Sequence, residues 1–358
     1  MDLRPLGRPL AVPALLACLS CTAFDEEVQS DPRELWSEED VVAERTFLPA
    51  VMDSLWSIGG TEADTLLLNP YWLSAGAEGV TVWDGGRNAV IRISGEGEVL
   101  WTFGREGGGP GEFRTVRGIA QLPDGGAAVV DNVNERLTII DREGRLAGET
   151  NLSGLAPESV ASLYDGSLVV LTHLAEPAFL ISNDNGVVVD SMGFPSRPYH
   201  DLPLMARQGR VVGAGTGWVF GFTAGNGWWR IGGDRAAEGF PYAEHADFPG
   251  IETSVGEAVV GGRTVTTRST RTTEFVSTAM DFGARGDTLF VHYYGESNVR
   301  GYLLDLFSLA NGSYLGSVLL PAWARSVAIG PDAIYTLAAD PFPVLTAFRM
   351  TVGEGVAR

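Results

Sequence analysis

Five side chains that could carry chemistry stand at the ends of apolar runs in the sequence. His173 and His292 follow two of these runs. Asp84, Asp131 and Asp340 end three others. Converging imidazoles could bind a metal ion or exchange protons with a substrate, and converging carboxylates could hold Ca²⁺ or another divalent ion. The structural alternative is that each aspartate accepts backbone N–H groups from the following turn and each histidine packs at a rim.

Composition excludes several other chemistries. All 25 cationic residues are arginines, so Schiff-base, P-loop and Ser-Lys mechanisms have no lysine to use. No cysteine follows Cys21, which leaves the rest of the chain without a thiol nucleophile or a thiolate metal site. The sequence contains no GxSxG or HExxH motif. Its formal net charge of −20 argues against a nucleic-acid partner and against electrostatic docking on anionic lipid.

A repeat organises the chain between these side chains. Residues 81–100 align without a gap with residues 128–147, and Asp84 falls on Asp131. Each copy has an apolar strand, a polar loop, a second apolar strand, a turn with glycine and a further strand. Several short strands in a repeating unit of about 40–50 residues are the signature of a β-propeller blade. Weaker copies follow at residues 165–191, 209–232, 286–320 and 325–350.

The last copy lacks a final strand, and the N-terminal part of the chain offers one. Residues 54–60 (SLWSIGG) resemble the final strand of the first copy, residues 99–105 (VLWTFGR). We therefore expect an all-β fold, a six-bladed β-propeller over residues 45–358 that is closed by an N-terminal strand completing the last blade. Such closure removes exposed sheet edges. Residues 233–277 are expected to be an insertion between the fourth and fifth blades.

Residues 104–145 resemble an NHL repeat. They contain the link GGGPGEF, the turn PDGG, an apolar strand ending in Asp131, and then Asn134, Arg136 and the run TIIDREG. The resemblance is specific over this segment and partial over residues 71–103. It implies a six-bladed NHL-type or TolB-like propeller of a bacterial envelope protein. It does not imply one function, because such propellers include binding modules and enzymes.

One face of a propeller surrounds the mouth of its central channel. It is formed by the loops between the second and third strands of each blade and by the links that join successive blades. The glycine-rich link is expected to cross between blades rather than cradle a phosphate, because Pro110 removes a donor and Glu112 adds a negative charge. The alignment predicts that this ligand-binding face carries Asp84, Arg87, Asn88, Arg105, Arg114, Asp131, Asn134, His173, His292, Tyr293 and Asp340.

The N-terminus has the pattern of an export signal. Residues 1–21 hold two arginines and then an apolar run that is too short to span a bilayer. The run ends in lipobox-like sequence, so Cys18 or Cys21 is a candidate site of lipidation. The alternative is an ordinary secretory signal that is cleaved near Ala23. Residues 22–44 contain nine acidic residues and one arginine, a composition that favours a solvated tether.

These features predict a non-catalytic binding or scaffolding module, exported to the cell envelope at the periplasm or cell surface and anchored by lipid. Its ligand would be a protein, a polymer or a small molecule at the channel mouth. The alternative is a propeller-type hydrolase or lyase that uses a metal ion or the pair His173 and His292. We expect a monomer without a nucleic-acid partner. No cofactor is expected unless Ca²⁺ or another divalent ion occupies Asp84, Asp131 and Asp340.

Replacing Cys18 and Cys21 together by serine tests the lipid anchor. The double variant is expected to leave the membrane fraction, because a serine hydroxyl does not replace the thiol that would carry the lipid. Immunoblots of fractionated cells measure the distribution, and the two single variants identify the modified residue. Full retention of the double variant with the membranes would exclude acylation at either cysteine.

Overall fold

The protein folds as an all-β, six-bladed β-propeller, seen here in a computed structural model. Its described residues form six four-stranded sheets and one two-stranded sheet. No helix in this part of the chain is long and apolar enough to span a bilayer. The predicted signal peptide, the tether, Cys18, Cys21, His173 and Asp340 lie outside the described residues. The structure describes residues 45–172, 176–194, 207–225, 227–243, 251–260, 263–272, 277–295, 300–339 and 341–353.

Each four-stranded sheet is one blade, and its strands are given from the central channel outward. Blade 1 comprises β2 (Pro70–Gly76), β3 (Gly79–Asp84), β4 (Ala89–Ser94) and β5 (Val99–Phe103). Blade 2 comprises β6 (Val116–Gln121), β7 (Ala127–Asp131), β8 (Arg136–Ile140) and β9 (Leu146–Asn151). Blade 3 comprises β10 (Pro157–Ser162), β11 (Leu168–Thr172), β12 (Phe179–Ser182) and β13 (Val188–Met192).

The other three blades follow in the same order. Blade 4 comprises β14 (Gly209–Ala214), β15 (Gly217–Phe222), β16 (Gly227–Ile231) and β17 (Ala237–Pro241). Blade 5 comprises β20 (Ala279–Arg285), β21 (Thr288–Tyr293), β22 (Leu303–Ser308) and β23 (Tyr314–Leu319). Blade 6 comprises β24 (Ser326–Ile329), β25 (Ile334–Ala338), β26 (Val344–Val352) and β1 (Ala50–Gly59). The two-stranded sheet is the hairpin of β18 (Ile251–Val260) and β19 (Arg263–Thr272).

The middle strands of the blades are buried on both faces. Every residue of β3 and β4 is buried, whereas β9, at the outer edge of blade 2, is mostly exposed. A strand can be buried on both faces only if other layers cover both faces of its sheet. The blades therefore stack face to face around the channel.

Six large apolar clusters fill the spaces between neighbouring blades, one at each interface around the ring. Between blades 1 and 2 the cluster includes Trp83, Phe113 and Ile140. Between blades 6 and 1, Ile91 packs in the same cluster as Leu337. The first and last blades thus share a core as sequential blades do. Burial of this apolar surface, at about 25 cal/mol per Å², is the main stabilising term.

β1 supplies the outer strand of blade 6. It runs antiparallel to β26, from Ala50 opposite Val352 to Gly59 opposite Val344. The residues before β1 pair instead with blade 5, where the Ser317 backbone exchanges hydrogen bonds of 2.8 and 2.9 Å with Thr46 and Leu48. The N-terminal segment therefore bridges blades 5 and 6.

The resemblance between residues 54–60 and 99–105 corresponds to the same contact in two blades. Trp56 of β1 donates its indole N–H to the Gly95 carbonyl in blade 1, at 2.7 Å. Trp101 of β5 donates its indole N–H to the Arg142 carbonyl in blade 2, at 3.1 Å. Each tryptophan thus fastens an outer strand to a turn of the next blade.

Residues 233–277 contain more than an insertion. β17 lies within this range and pairs with β16 along its whole length, from Gly227 opposite Pro241 to Ile231 opposite Ala237. It is the fourth strand of blade 4. The inserted part that the structure describes is the hairpin of β18 and β19, which follows blade 4 and precedes blade 5.

A buried ion pair fixes the N-terminal segment to blade 5. Arg45 Nε lies 3.2 Å from Asp305 Oδ1, and Arg45 Nη2 lies 3.1 Å from Asp305 Oδ2. Each of these two side chains is only 3% exposed. The Arg45 guanidinium also lies 4.2 Å from the ring centroid of Tyr293. Tyr293, predicted on the ligand-binding face, is therefore buried beneath the N-terminal segment.

Replacing Arg45 by methionine is expected to lower the free energy of unfolding by about 3–5 kcal/mol, because it leaves the Asp305 carboxylate buried without its partner. The double variant Arg45→Met, Asp305→Leu should recover part of this loss. Urea denaturation measures both. The control is Arg105→Met, which removes an exposed arginine paired with Glu112 and should cost much less. A double variant less stable than Arg45→Met alone would contradict this account.

Candidate functional site

The strand-end aspartates Asp84 and Asp131 are fully buried and bind backbone amides. The Asp84 carboxylate accepts the Leu68 N–H at 2.7 Å. The Asp131 carboxylate accepts the Arg114 N–H at 2.7 Å and the Asn134 N–H at 2.9 Å. Each aspartate therefore joins the link that enters its blade to the loop after its second strand.

These contacts engage the carboxylates that a metal ion would need. Asp84 and Asp131 lie in different blades, and each is surrounded by N–H donors of its own loops. Among the described residues, no three His, Cys, Asp or Glu side chains are placed to hold one metal ion. Asp340, the third predicted ligand, lies outside the described part of the chain.

The glycine-rich link folds around acidic side chains of the protein itself. Glu112 accepts the Gly109 N–H at 2.8 Å and the Arg105 Nε at 2.9 Å. The Gly111 N–H donates to Glu149 at 3.0 Å. The Gly109 N–H and, after it, Arg105 hold the pKa of Glu112 below its usual range. Internal carboxylates thus take amide donors that a bound phosphate would need.

Other residues predicted on the ligand-binding face hold its loops in place. Arg87 Nε donates to the Leu66 carbonyl at 3.1 Å. Asn134 Nδ2 donates to the Gly107 carbonyl at 2.9 Å. Asn88 has a φ of 51°, so it makes the left-handed turn between β3 and β4. These side chains position backbone rather than present free polar groups to a ligand.

Arg210, in the inner strand of blade 4, reaches across the central channel. Its Nη1 donates to the backbone carbonyls of Arg117 at 2.7 Å and Glu158 at 3.1 Å, in blades 2 and 3. Its guanidinium carbon lies 3.8 Å from the ring centroid of Trp72, in blade 1. Burial lowers the pKa of Arg210, while the nearby carboxylates of Glu158 and Asp281 raise it. One side chain thus links four blades at the end of the channel where the inner strands begin.

An ion pair lies beside Arg210, at the start of the inner strands of blades 2 and 3. Arg117 Nε lies 3.0 Å from Glu158 Oε2, and Arg117 Nη2 lies 2.5 Å from Glu158 Oε1. This two-point geometry fixes both groups. The Glu158 side chain is 7% exposed and that of Arg117 is 36% exposed, so the arginine is the partner that faces solvent.

Blade 5 contributes an aspartate, a histidine and a tyrosine. His292 Nδ1 lies 3.4 Å from Asp281 Oδ2, which also accepts the Val327 N–H of blade 6 at 2.9 Å. The His292 side chain is 1% exposed, and its Nε2 is buried with no hydrogen-bond partner in the described chain. The Tyr294 ring centroid lies 6.2 Å from that of the imidazole. Burial raises the pKa of Tyr294, while Arg300 and Arg325 lower it.

Arg325 comes directly before the inner strand of blade 6 and lies against blade 1. Its guanidinium carbon is 3.9 Å from the ring centroid of Tyr71. Its Nη1 makes a long contact of 3.4 Å with Asn69 Oδ1. Arg325 and Arg210 are therefore both stacked on aromatic rings of blade 1, as cation–π pairs.

We call the charged and aromatic side chains at this end of the channel the channel-mouth cluster. Its members are linked by contact or electrostatic interaction through Arg210, Asp281, Tyr294 and Arg325, and they come from all six blades. The cluster comprises Tyr71, Trp72, Arg117, Glu158, Arg210, Asp281, His292, Tyr294 and Arg325.

Of the residues predicted on the ligand-binding face that the structure describes, only His292 belongs to this cluster. Arg105 and Arg114 have exposed side chains outside it. The signal that could have identified the other members lies at the starts of the inner strands. Aligning those strands places charged residues at or beside the second position in four blades: Arg117, Glu158, Arg210 and Asp281.

Comparisons with known proteins support the fold. No protein-family model matches the sequence, and no curated protein has a significant match to it. Among solved structures, a virginiamycin B lyase of Staphylococcus aureus is 13% identical, with a TM-score of 0.51 over 84% of this chain and 99% of the lyase. The WD40 repeats of RRP9 are 10% identical, with a TM-score of 0.55 over 84% of this chain and 100% of theirs.

A third similar structure comes from Bacteroides fragilis and is named as a candidate exported protein. It is 11% identical, with a TM-score of 0.53 over 92% of this chain and 98% of its own. At such identities, these likenesses establish the β-propeller fold alone.

Replacing Asp131 by alanine is expected to destabilise the protein, because buried N–H groups of two loops lose their acceptor at a cost of about 1–3 kcal/mol each. Thermal unfolding measures the loss. The control is Asp165→Ala, in an exposed turn where the aspartate accepts hydrogen bonds from Ser167. Equal stability of Asp131→Ala and wild type would show that these amide contacts are dispensable.

Proposed function

We propose that the protein is an exported binding module of the cell envelope that takes its ligand at the channel-mouth cluster. The observation that carries the proposal is the convergence there of charged and aromatic side chains from all six blades, whereas the spaces between the blades are filled mainly by apolar side chains. Aromatic rings with fixed charged neighbours are the usual composition of a ligand site.

The position of Arg210 supports binding at the mouth rather than passage through the ring. Its side chain lies across the channel and is held by the carbonyls of Arg117 and Glu158. A ligand on this face would therefore rest on Arg210 and Trp72. Because the blades are packed against one another, the site would be largely preformed, which limits the entropy lost on binding.

The alternative, a propeller-type hydrolase or lyase, would depend on His292 as an acid or base. Its Nδ1 faces Asp281, the arrangement that orients a catalytic imidazole. Its Nε2 is buried, however, so a ligand in the mouth could not reach it without movement of the blades. The second predicted histidine, His173, lies outside the described residues. The lyase of Staphylococcus aureus is similar in fold, which supports no shared reaction.

The proposal includes the NHL-type or TolB-like subclass, export and lipid anchoring, and a monomeric state without a nucleic-acid partner. The contacts of the NHL-like polar positions support the subclass, since Asn134 and Arg136 both bind carbonyls of the glycine-rich link. The signal pattern of residues 1–21 supports export, in agreement with the name of the Bacteroides fragilis structure. The acidity of the chain supports the absence of nucleic acid.

Immobilised wild-type protein is expected to retain a component of envelope extract that Tyr71→Ala retains about tenfold less well, because the variant loses an aromatic surface and the support of Arg325. Quantitative mass spectrometry of the retained material measures this difference. The matched control is Tyr164→Ala, which removes a tyrosine that is 92% exposed in the turn between β10 and β11. Equal retention by wild type and Tyr71→Ala would reject the channel mouth as the binding site.

A further inference from the structure

We infer that the channel-mouth cluster recognises an oxyanion on its ligand, held by the guanidinium groups of Arg210 and Arg325 with Arg117 beside them. This inference rests on the proposed function and specifies the chemistry of its ligand. The relevant group is a carboxylate or a phosphate, both of which present oxygen acceptors to a guanidinium in the same way.

The arginines of the channel-mouth cluster have N–H donors that the described residues do not use. Arg210 Nη1 donates to two backbone carbonyls and its Nε is buried, so Nη2 is the part of this guanidinium that a ligand could contact. Arg117 Nε and Nη2 both donate hydrogen bonds to Glu158. Among the described residues, the Arg325 side chain makes a single hydrogen bond, the long one to Asn69. The three guanidinium groups therefore retain N–H donors, and a guanidinium has no acceptor to offer. A ligand rich in acceptors would pair with these donors.

Aromatic rings of blade 1 orient two of the guanidinium groups. Arg210 lies 3.8 Å from the centroid of Trp72, and Arg325 lies 3.9 Å from the centroid of Tyr71. Stacking covers one face of each guanidinium and leaves the edge, where the N–H groups point. A guanidinium edge held in this way is suited to the oxygens of a carboxylate or phosphate, and little side-chain entropy remains to be lost on binding.

The charges of the channel-mouth cluster do not balance. The cluster contains three guanidinium groups against the carboxylates of Glu158 and Asp281, which leaves an excess of one positive charge. Both carboxylates are also engaged, Glu158 by Arg117 and Asp281 by His292 and the Val327 N–H. The excess is notable in a chain with a formal net charge of −20. It would repel a metal cation and attract an anion.

Burial of Arg210 would make the binding of an anion beside it more favourable. Desolvation is the largest influence on Arg210 and lowers its pKa, so its charge is incompletely compensated by the groups around it. An oxyanion at the Arg210 edge would offset that desolvation. The ligand would thus supply the counter-charge that the cluster lacks.

The test uses the full-length protein with inorganic phosphate and with citrate as probes, each titrated through the millimolar range against sodium chloride of equal ionic strength. Trp72 stacks on Arg210, so tryptophan fluorescence reports occupancy, and isothermal titration calorimetry gives the affinity. We expect saturable binding of at least one probe. Preference for citrate would identify a carboxylate, and preference for phosphate would identify a phosphoryl group.

Arg325→Met keeps most of the side-chain length but removes the donors, and it is expected to weaken the preferred probe about tenfold. Arg210→Met should weaken it similarly, and if that variant does not fold, Arg325→Met decides the question. The control is Arg145→Met, which removes an exposed arginine from the β8–β9 turn, outside the cluster. Arg145→Met should bind as wild type does.

Absence of saturable binding for both probes would overturn the inference, as would equal weakening in Arg145→Met and Arg325→Met. Failure of the oxyanion inference can be distinguished from failure of the proposed function. Retention of an envelope component by wild type and, undiminished, by Arg325→Met would reject the oxyanion and leave the binding function standing. Saturable oxyanion binding without any retained envelope component would reject the envelope-binding function and leave the oxyanion site standing.

Discussion

Each blade of this protein has two apolar faces, and the need to cover both determines the rest of the structure. A single sheet cannot bury both of its faces, and an open stack of sheets would leave two faces in water. The ring solves the problem, because the cluster between blades 6 and 1 closes the series. Once the ring is formed, all inner strands begin at one end of one channel. Side chains far apart in the sequence, such as Trp72 and Arg325, are then brought together.

Arg210 provides hydrogen-bond partners that the inner strands need at the channel mouth. Six inner strands cannot all pair with one another around the axis, so their polar groups near the mouth need partners from side chains. Arg210 supplies donors to carbonyls of blades 2 and 3 and packs on Trp72 of blade 1. The same side chain that completes the scaffold thereby becomes the surface that a ligand would meet. Under the proposed function, one residue would thus both support the fold and contact the ligand.

The sequence predicts more of the fold than of the candidate site. The alignment of Asp84 with Asp131 depends on local strands and turns, and the structure places both aspartates in the same local contacts. The sequence does not predict β17, because AEGFP has no apolar alternation, and this strand is identified only by its pairing with β16 in the structure. Arg210 belongs to no motif. Its importance comes from which groups the closed ring places opposite it, which no local pattern encodes.

The bridge between blades 5 and 6 has a mechanical consequence. A load applied to the chain before Arg45 would first meet its ion pair with Asp305 in blade 5, and then the backbone pairing at Ser317. Only after those contacts would it reach β1 and the ladder with β26 in blade 6. Tension is thus shared by two blades instead of peeling one edge strand from one sheet.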